Sequence, residues 1–87
     1  MSAPVKVVLF ASIREAVGQG ELRIDELAES AKLSTLVALL CDRFGETARE
    51  ALTAENVRIA VNQELVHEDV VLNAGDEVAF FPPVTGG

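Results

Sequence analysis

Histidine and cysteine each occur once in the 87 residues, as His67 and Cys41. A lone cysteine excludes an internal disulfide and fits a reducing compartment. A lone histidine beside Glu68 and Asp69, with no second histidine and no paired cysteine, lacks the ligand spacing of a structural metal site. A solvated loop is expected there, and no metal. Basic residues are also few: seven against fourteen acidic ones leave a net charge of −7, which repels phosphate backbones and anionic lipid and argues against a nucleic-acid partner. Long apolar runs are missing. Val7 to Ala11 is too short for the apolar stretch of a secretory signal, and nothing approaches the ~20 apolar residues of a membrane-spanning helix. Together these absences predict a soluble cytoplasmic protein. Internal repeats, low-complexity tracts and linkers are absent too, so the segments are expected to belong to one fold.

What is present is a hydrophobic content of 49%, enough for one small core that buries roughly 60 to 65% of the unfolded surface. A chain of this size has no room for separate cofactor and substrate domains, which favours a carrier or subunit over a self-sufficient enzyme. "VKVVLFA", Val5 to Ala11, is rich in β-branched residues and reads as the first strand. Arg14 to Val17 fits a helical turn ended by Gly18, after which "ELRID" alternates Leu22 and Ile24 with Glu21, Arg23 and Asp25 as a half-buried second strand. The period then changes. Leu36, Leu40 and Phe44, joined by Leu39, form a helical stripe in "LSTLVALLCDRFG", with Ser34 as the expected cap and Gly45 as the stop. Cys41 lies in this main helix, where a small semi-apolar side chain packs and stays inert. A short helix over Glu46 to Leu52, a one-sided strand in "VRIAVN", a short strand "ELV", a turn at "NAGD" and a closing strand "DEVAFF" complete the order. The fold class is α+β, a mixed sheet packed on one main helix.

Lys6, Arg58 and Glu77 mark the sheet face turned to water. Strand alternation puts Val8 and Phe10, Ala60, and Ala79 and Phe81 on that same face. Singly exposed apolar residues need no explanation, but two aromatic rings beside small residues better suit a patch for a protein partner. The carboxylates Glu64, Glu68, Asp69, Asp76 and Glu77 flank turns without a glycine-rich phosphate loop, and are read as surface charge able to assist docking onto basic surfaces. Pro82 and Pro83 cannot donate to a sheet ladder, so the last strand is expected to end there and leave stiffly. Gly86 and Gly87 lack Cβ atoms, which lets backbone thread a narrow channel and leaves the terminal carboxyl carbon sterically open. The expected organisation is a folded domain over 1–83 and a flexible C-terminal tail over 84–87.

The segments "KVVLFASIREAVG", "AVNQELV" and "NAGDEVAFFPPVTGG" follow one another in an order that closely resembles the MoaD-type family of ubiquitin-like sulfur carriers, the small subunits of molybdopterin synthase. "FFPPVTGG" is the specific element; Ser30 to Glu55 carries only the helical pattern. The resemblance implies a β-grasp fold and a chain that is not catalytic alone. By it, the carboxylate of Gly87 is adenylated by an E1-like, MoeB-type enzyme using ATP, with no permanently bound cofactor. A sulfur donor then converts it to a thiocarboxylate, which delivers sulfur to cyclic pyranopterin monophosphate and so builds the molybdopterin dithiolene. The implied partner is a MoaE-type large subunit, in a heterotetramer of two small and two large subunits. Phe10, Arg14, Leu65 and Phe81 map onto the family interface, and Pro82, Pro83, Val84 and Thr85 lead Gly86 and Gly87 into the partner. Two other destinations share the same chemistry at the start: a carrier for another pathway such as thiamine biosynthesis, whose members are typically shorter and lack "FFPPVTGG", and a ubiquitin-like modifier that forms isopeptide bonds with lysine.

Overall fold

The computed structural model describes residues 3–82; the expectations placed on Pro83, Val84, Thr85, Gly86 and Gly87 lie outside them. Among the described residues the order is β1 (Val5–Leu9), α1 (Ala11–Val17), β2 (Glu21–Ile24), α2 (Leu33–Phe44), α3 (Glu46–Leu52), β3 (Arg58–Val61), β4 (Glu64–Val66) and β5 (Glu77–Phe81). The strands form one mixed sheet in the order β2-β1-β5-β3-β4. β1 and β5 run parallel at its centre, and the other pairs are antiparallel. This is the β-grasp arrangement, in which the first and last strands lie side by side.

Alternation decides what each strand buries. Val5, Val7 and Leu9 of β1 and Val78 and Phe80 of β5 face the core, where Ile24, Leu36, Leu40 and Cys41 meet them. Ile59, Val61 and Val66 extend the same inner face towards the β3–β4 edge, only partly buried. The sequence predicts one main helix against this face. The structure places three helical segments around the core, because α1 contributes Ile13 and Val17, and α3 contributes Ala48 and Leu52, beside the stripe of α2.

The first strand is shorter than "VKVVLFA" predicts. It stops at Leu9, and Ala11, with φ 48, turns the chain directly into a seven-residue helix where only a turn from Arg14 is expected. Left-handed backbone at a residue carrying Cβ is strained by roughly 1–2 kcal/mol, and the compensation lies in the contacts on either side. The Phe10 carbonyl accepts from the N–H groups of Ile13 and Arg14, and the Phe10 N–H donates to Phe80 O at 3.2 Å. Gly18 (φ 91) closes α1, and Gly45 (φ 90) joins α2 to α3. Both positions need the left-handed freedom of glycine.

Ser34 is not the cap of α2. Lys32 holds that position without a side-chain cap, and Ser34 is the second residue of the helix. The free N–H groups are met from a distant segment instead: Leu33 N donates to Val70 O at 2.8 Å, while Ser34 N and Oγ donate to the two carboxylate oxygens of Asp69, each at 2.7 Å. A carboxylate here also complements the positive end of the helix. The hydrogen bonds from the Ser34 hydroxyl and then its N–H, aided by the charge of Lys32, hold the Asp69 carboxyl below the ordinary aspartate range. Asp69 is therefore a structural clamp and not merely surface charge.

Asn62 does not continue β3. Together with Gln63 it occupies left-handed backbone (φ 52 and 70) and makes the two-residue turn from β3 to β4. Its side chain ties that hairpin to the start of β5: Nδ2 donates to Asp76 Oδ1 and Oδ1 accepts from Glu77 N, each at 3.0 Å. Asp76 Oδ2 also accepts from Asn73 N at 2.8 Å, so Asp76, like Asp69, is committed to holding a turn.

Candidate protein-docking face

The outer face of the sheet has two ends. At one, Lys6 pairs with Glu21 and Glu77, each at 3.8 Å, and Arg23 pairs with Glu21 at 3.7 Å. These are exposed, long ion pairs whose net value is small. At the other end the registers Val8↔Ala79, Ala60↔Ala79 and Ala60↔Leu65 bring β1, β5, β3 and β4 into one apolar surface. A concavity of about 380 Å³ opens there, lined by Val8, Phe10, Ala60, Leu65, Ala79 and Phe81, with Gln63 and Glu77 at its polar margin. Small side chains at 60 and 79 create the depth, and larger ones around them create the walls. Ala60 is only 4% exposed although it lies on the outer face.

Phe10 and Phe81 stack with ring centroids 4.8 Å apart and planes 5° from parallel, a contact of roughly 0.5–1.5 kcal/mol beyond simple burial. The pair still leaves Phe10 41% exposed, and Leu65 across the hollow is 55% exposed. Three apolar side chains of this size on one unpartnered face form a surface suited to a protein partner. Arg14 stands apart from it. Its backbone N–H donates to the Phe10 carbonyl, while its side chain lies over Gly20, where an added Cβ would come within 3.1 Å of Nε. The structure thus joins Phe10, Leu65 and Phe81 in one hollow, and places Arg14 beside but not within its lining. Pro82 is half-buried and continues the chain from Phe81.

Gln63 is the lining residue that the sequence reading does not reach: "NQ" between "VRIAV" and "ELV" makes a two-residue hairpin without its usual glycine, so no local turn signal marks it. His67 and Glu68 are exposed, and no group of three or more His, Cys, Asp or Glu side chains among the described residues is placed to hold a metal ion. Cys41 is buried in the core. No helix among the described residues is long and apolar enough to cross a membrane.

The model of the ThiS family matches residues 7–87, nearly the entire chain. The chain belongs to the ThiS family. Among its ThiS-family relatives, the molybdopterin synthase sulfur carrier subunit of Escherichia coli is 45% identical over 85 residues, which span 95% of this chain and 99% of that subunit. A solved structure described as a putative molybdopterin converting factor, subunit 1, from Pyrococcus furiosus superposes with a TM-score of 0.80 at 38% identity, covering 95% of this chain and all of the other. A chain from the complex of subunits 1 and 2 of the molybdopterin-converting factor of Helicobacter pylori superposes with a TM-score of 0.68 at 27% identity, covering 97% and 99%.

Proposed function

We propose that this ThiS-family chain is the sulfur-carrier subunit of a molybdopterin synthase. The observation that carries the proposal is the 45% identity to the E. coli carrier subunit, sustained across 99% of that protein. The geometry supports it, because the apolar hollow borders Phe81, the residue from which the chain continues through Pro82 towards Gly87. The strand that carries Phe81 of the docking surface is then also the one from which the chain leads on to the reacting terminus.

In this reading an E1-like enzyme activates the Gly87 carboxylate with ATP, forming an acyl adenylate and releasing pyrophosphate. A carboxylate is a poor electrophile, and AMP is a good leaving group. Sulfur from a donor attacks the carbonyl carbon, the C–O bond to AMP breaks, and the product is a thiocarboxylate. Docked through Phe10, Leu65 and Phe81, the carrier presents that sulfur to cyclic pyranopterin monophosphate held by the large subunit, and two deliveries complete the dithiolene. Docking makes each delivery effectively intramolecular. The small subunit supplies the nucleophile and the large subunit the substrate pocket, in an assembly of two of each. Pro83, Val84 and Thr85 span the interval to Gly86, whose missing side chain suits a narrow passage.

Intact-mass measurement tests this directly. Incubated with an E1-like enzyme, ATP and a sulfur donor, the protein gains the mass of one oxygen exchanged for sulfur, and Cys41→Ser gains the same. Covalent attachment to lysine with no thiocarboxylate would assign the chain to protein modification instead, and loss of the gain in the cysteine variant would bring Cys41 into the chemistry.

A further inference from the structure

The hollow is apolar except at its margin, where Glu77 stands 32% exposed on the same strand as Ala79 and Phe81. Its backbone N–H is already taken by Asn62 Oδ1. Its carboxylate is poorly provided for. The ionic neighbour it has among the described residues, Lys6 Nζ, lies at 3.8 Å, beyond hydrogen-bond length, and is shared with Glu21 at the same 3.8 Å. A partner that covers Phe10, Leu65 and Phe81 also removes water from Glu77. Desolvating a carboxylate without a hydrogen-bonding cation is strongly unfavourable, so the partner must bring a donor to this edge or bind weakly.

We infer that Glu77 is a specificity-determining contact of the docking face, and that it receives a lysine or arginine side chain from the large subunit of the synthase. The inference rests on the proposed function for its choice of partner. The alternative source of the cation is internal: Lys6 could leave Glu21 to Arg23, which already stands 3.7 Å from it, and close onto Glu77. Charge favours the external source. With fourteen acidic residues against seven basic ones, the carrier attracts cationic surfaces, and a single carboxylate at the edge of an apolar hollow converts that general attraction into a fixed register.

The test is titration of purified large subunit with wild type, Glu77→Gln and Lys6→Met at two salt concentrations, with circular dichroism to establish that each variant is folded. Glu77→Gln keeps the shape of the side chain and removes its charge. The expected result is about tenfold or greater weakening by Glu77→Gln, with a flatter salt dependence, as for loss of one member of a covered charge pair. Lys6→Met should bind as tightly as wild type or more so, since it removes the competing cation. Equal binding by Glu77→Gln and wild type would overturn the inference while leaving the proposed function intact. Weakening by Lys6→Met equal to that of Glu77→Gln would also overturn it, by assigning the cation to the carrier itself. Failure of the wild type to bind would count against the proposed function first, and the inference would fall with it.

Discussion

The two faces of the sheet are built from the same strands and differ by one residue in register, yet they do opposite work. Val7, Val78 and Phe80 on the inner face are fully buried beneath the helices. Phe10, Leu65 and Phe81 on the outer face are comparable in kind, yet Phe10 and Leu65 are exposed and Phe81 is half-buried, stacked on the Phe10 ring. Hydrophobicity alone does not separate a core residue from a contact residue. The separation comes from which side of the pleat each occupies and from whether a helix packs there. The outer face also contains its own contrast, between an ion-paired end and an apolar end, with Glu77 belonging to both.

Paired substitutions break this comparison at its largest scale. Phe80→Ala removes a wholly buried ring and should cost about 3–5 kcal/mol of stability, measured by urea unfolding, while any folded fraction keeps its affinity for the large subunit. Phe81→Ala, one residue later and on the other face, should reverse that pattern. It should weaken large-subunit binding by about 1–3 kcal/mol, with a stability loss smaller than that of Phe80→Ala, because the ring is only half-buried. Calorimetric titration beside the same unfolding experiment separates the two. Similar profiles for both variants would mean that the faces are not functionally distinct.

Alternation made this contrast readable from "VKVVLFA" and "DEVAFF", since in each the charged residue names the wet face. The period change over Leu36, Leu40 and Phe44 likewise exposed the main helix. What could not be read was whatever depends on distant partners. Ser34 is a sound local cap by composition, but the cap that forms comes from Asp69, 35 residues away. No local pattern signals it. The turn at Asn62 and Gln63 has no local signature, because both residues hold left-handed backbone without glycine, stabilised by the ties from Asn62 to Asp76 and β5. The early end of β1 was hidden for the same reason at Ala11. In the candidate site, Phe10 and Phe81 followed from alternation; Leu65 and Arg14 came only from family resemblance, and the structure brings the first of these into the hollow.

Ala11 sharpens the comparison at a smaller scale. Its positive φ sets the path by which Phe10 stays on the outer face while Ile13 enters the core. Ala11→Gly relieves roughly 1–2 kcal/mol of backbone strain against about 0.4–1 kcal/mol of added unfolded-chain entropy, so stability should rise by no more than about 1.5 kcal/mol, read from the urea midpoint, with affinity for the large subunit unchanged. A loss of affinity would show that the strained backbone itself orients Phe10.

The smallest effect belongs to the clamp on α2, remote from the hollow. Because hydrogen bonding lowers the Asp69 pKa in the folded state, its contribution is fully present above the unfolded-state value and is lost as pH falls through the folded one. The stability difference between wild type and Asp69→Ala should therefore be constant near neutrality and shrink below about pH 4. Unfolding curves across pH 2.5 to about pH 7 would read it, and a difference that grows on acidification would contradict the clamp.

Docking on the outer face and chemistry at the C-terminus are separable in this account, and deletion of Gly87 alone tests that separation most directly. Molybdopterin formation by reconstituted large subunit is measured beside a binding titration. Loss of one residue draws the reacting carbon back by about 3.5 Å along an extended chain, where a misplacement of even 1 Å can cost around a hundredfold in rate. The predicted result is unchanged affinity with product formation lowered at least a hundredfold, and near-normal product formation by the shortened chain would contradict a carrier that works through its terminal glycine.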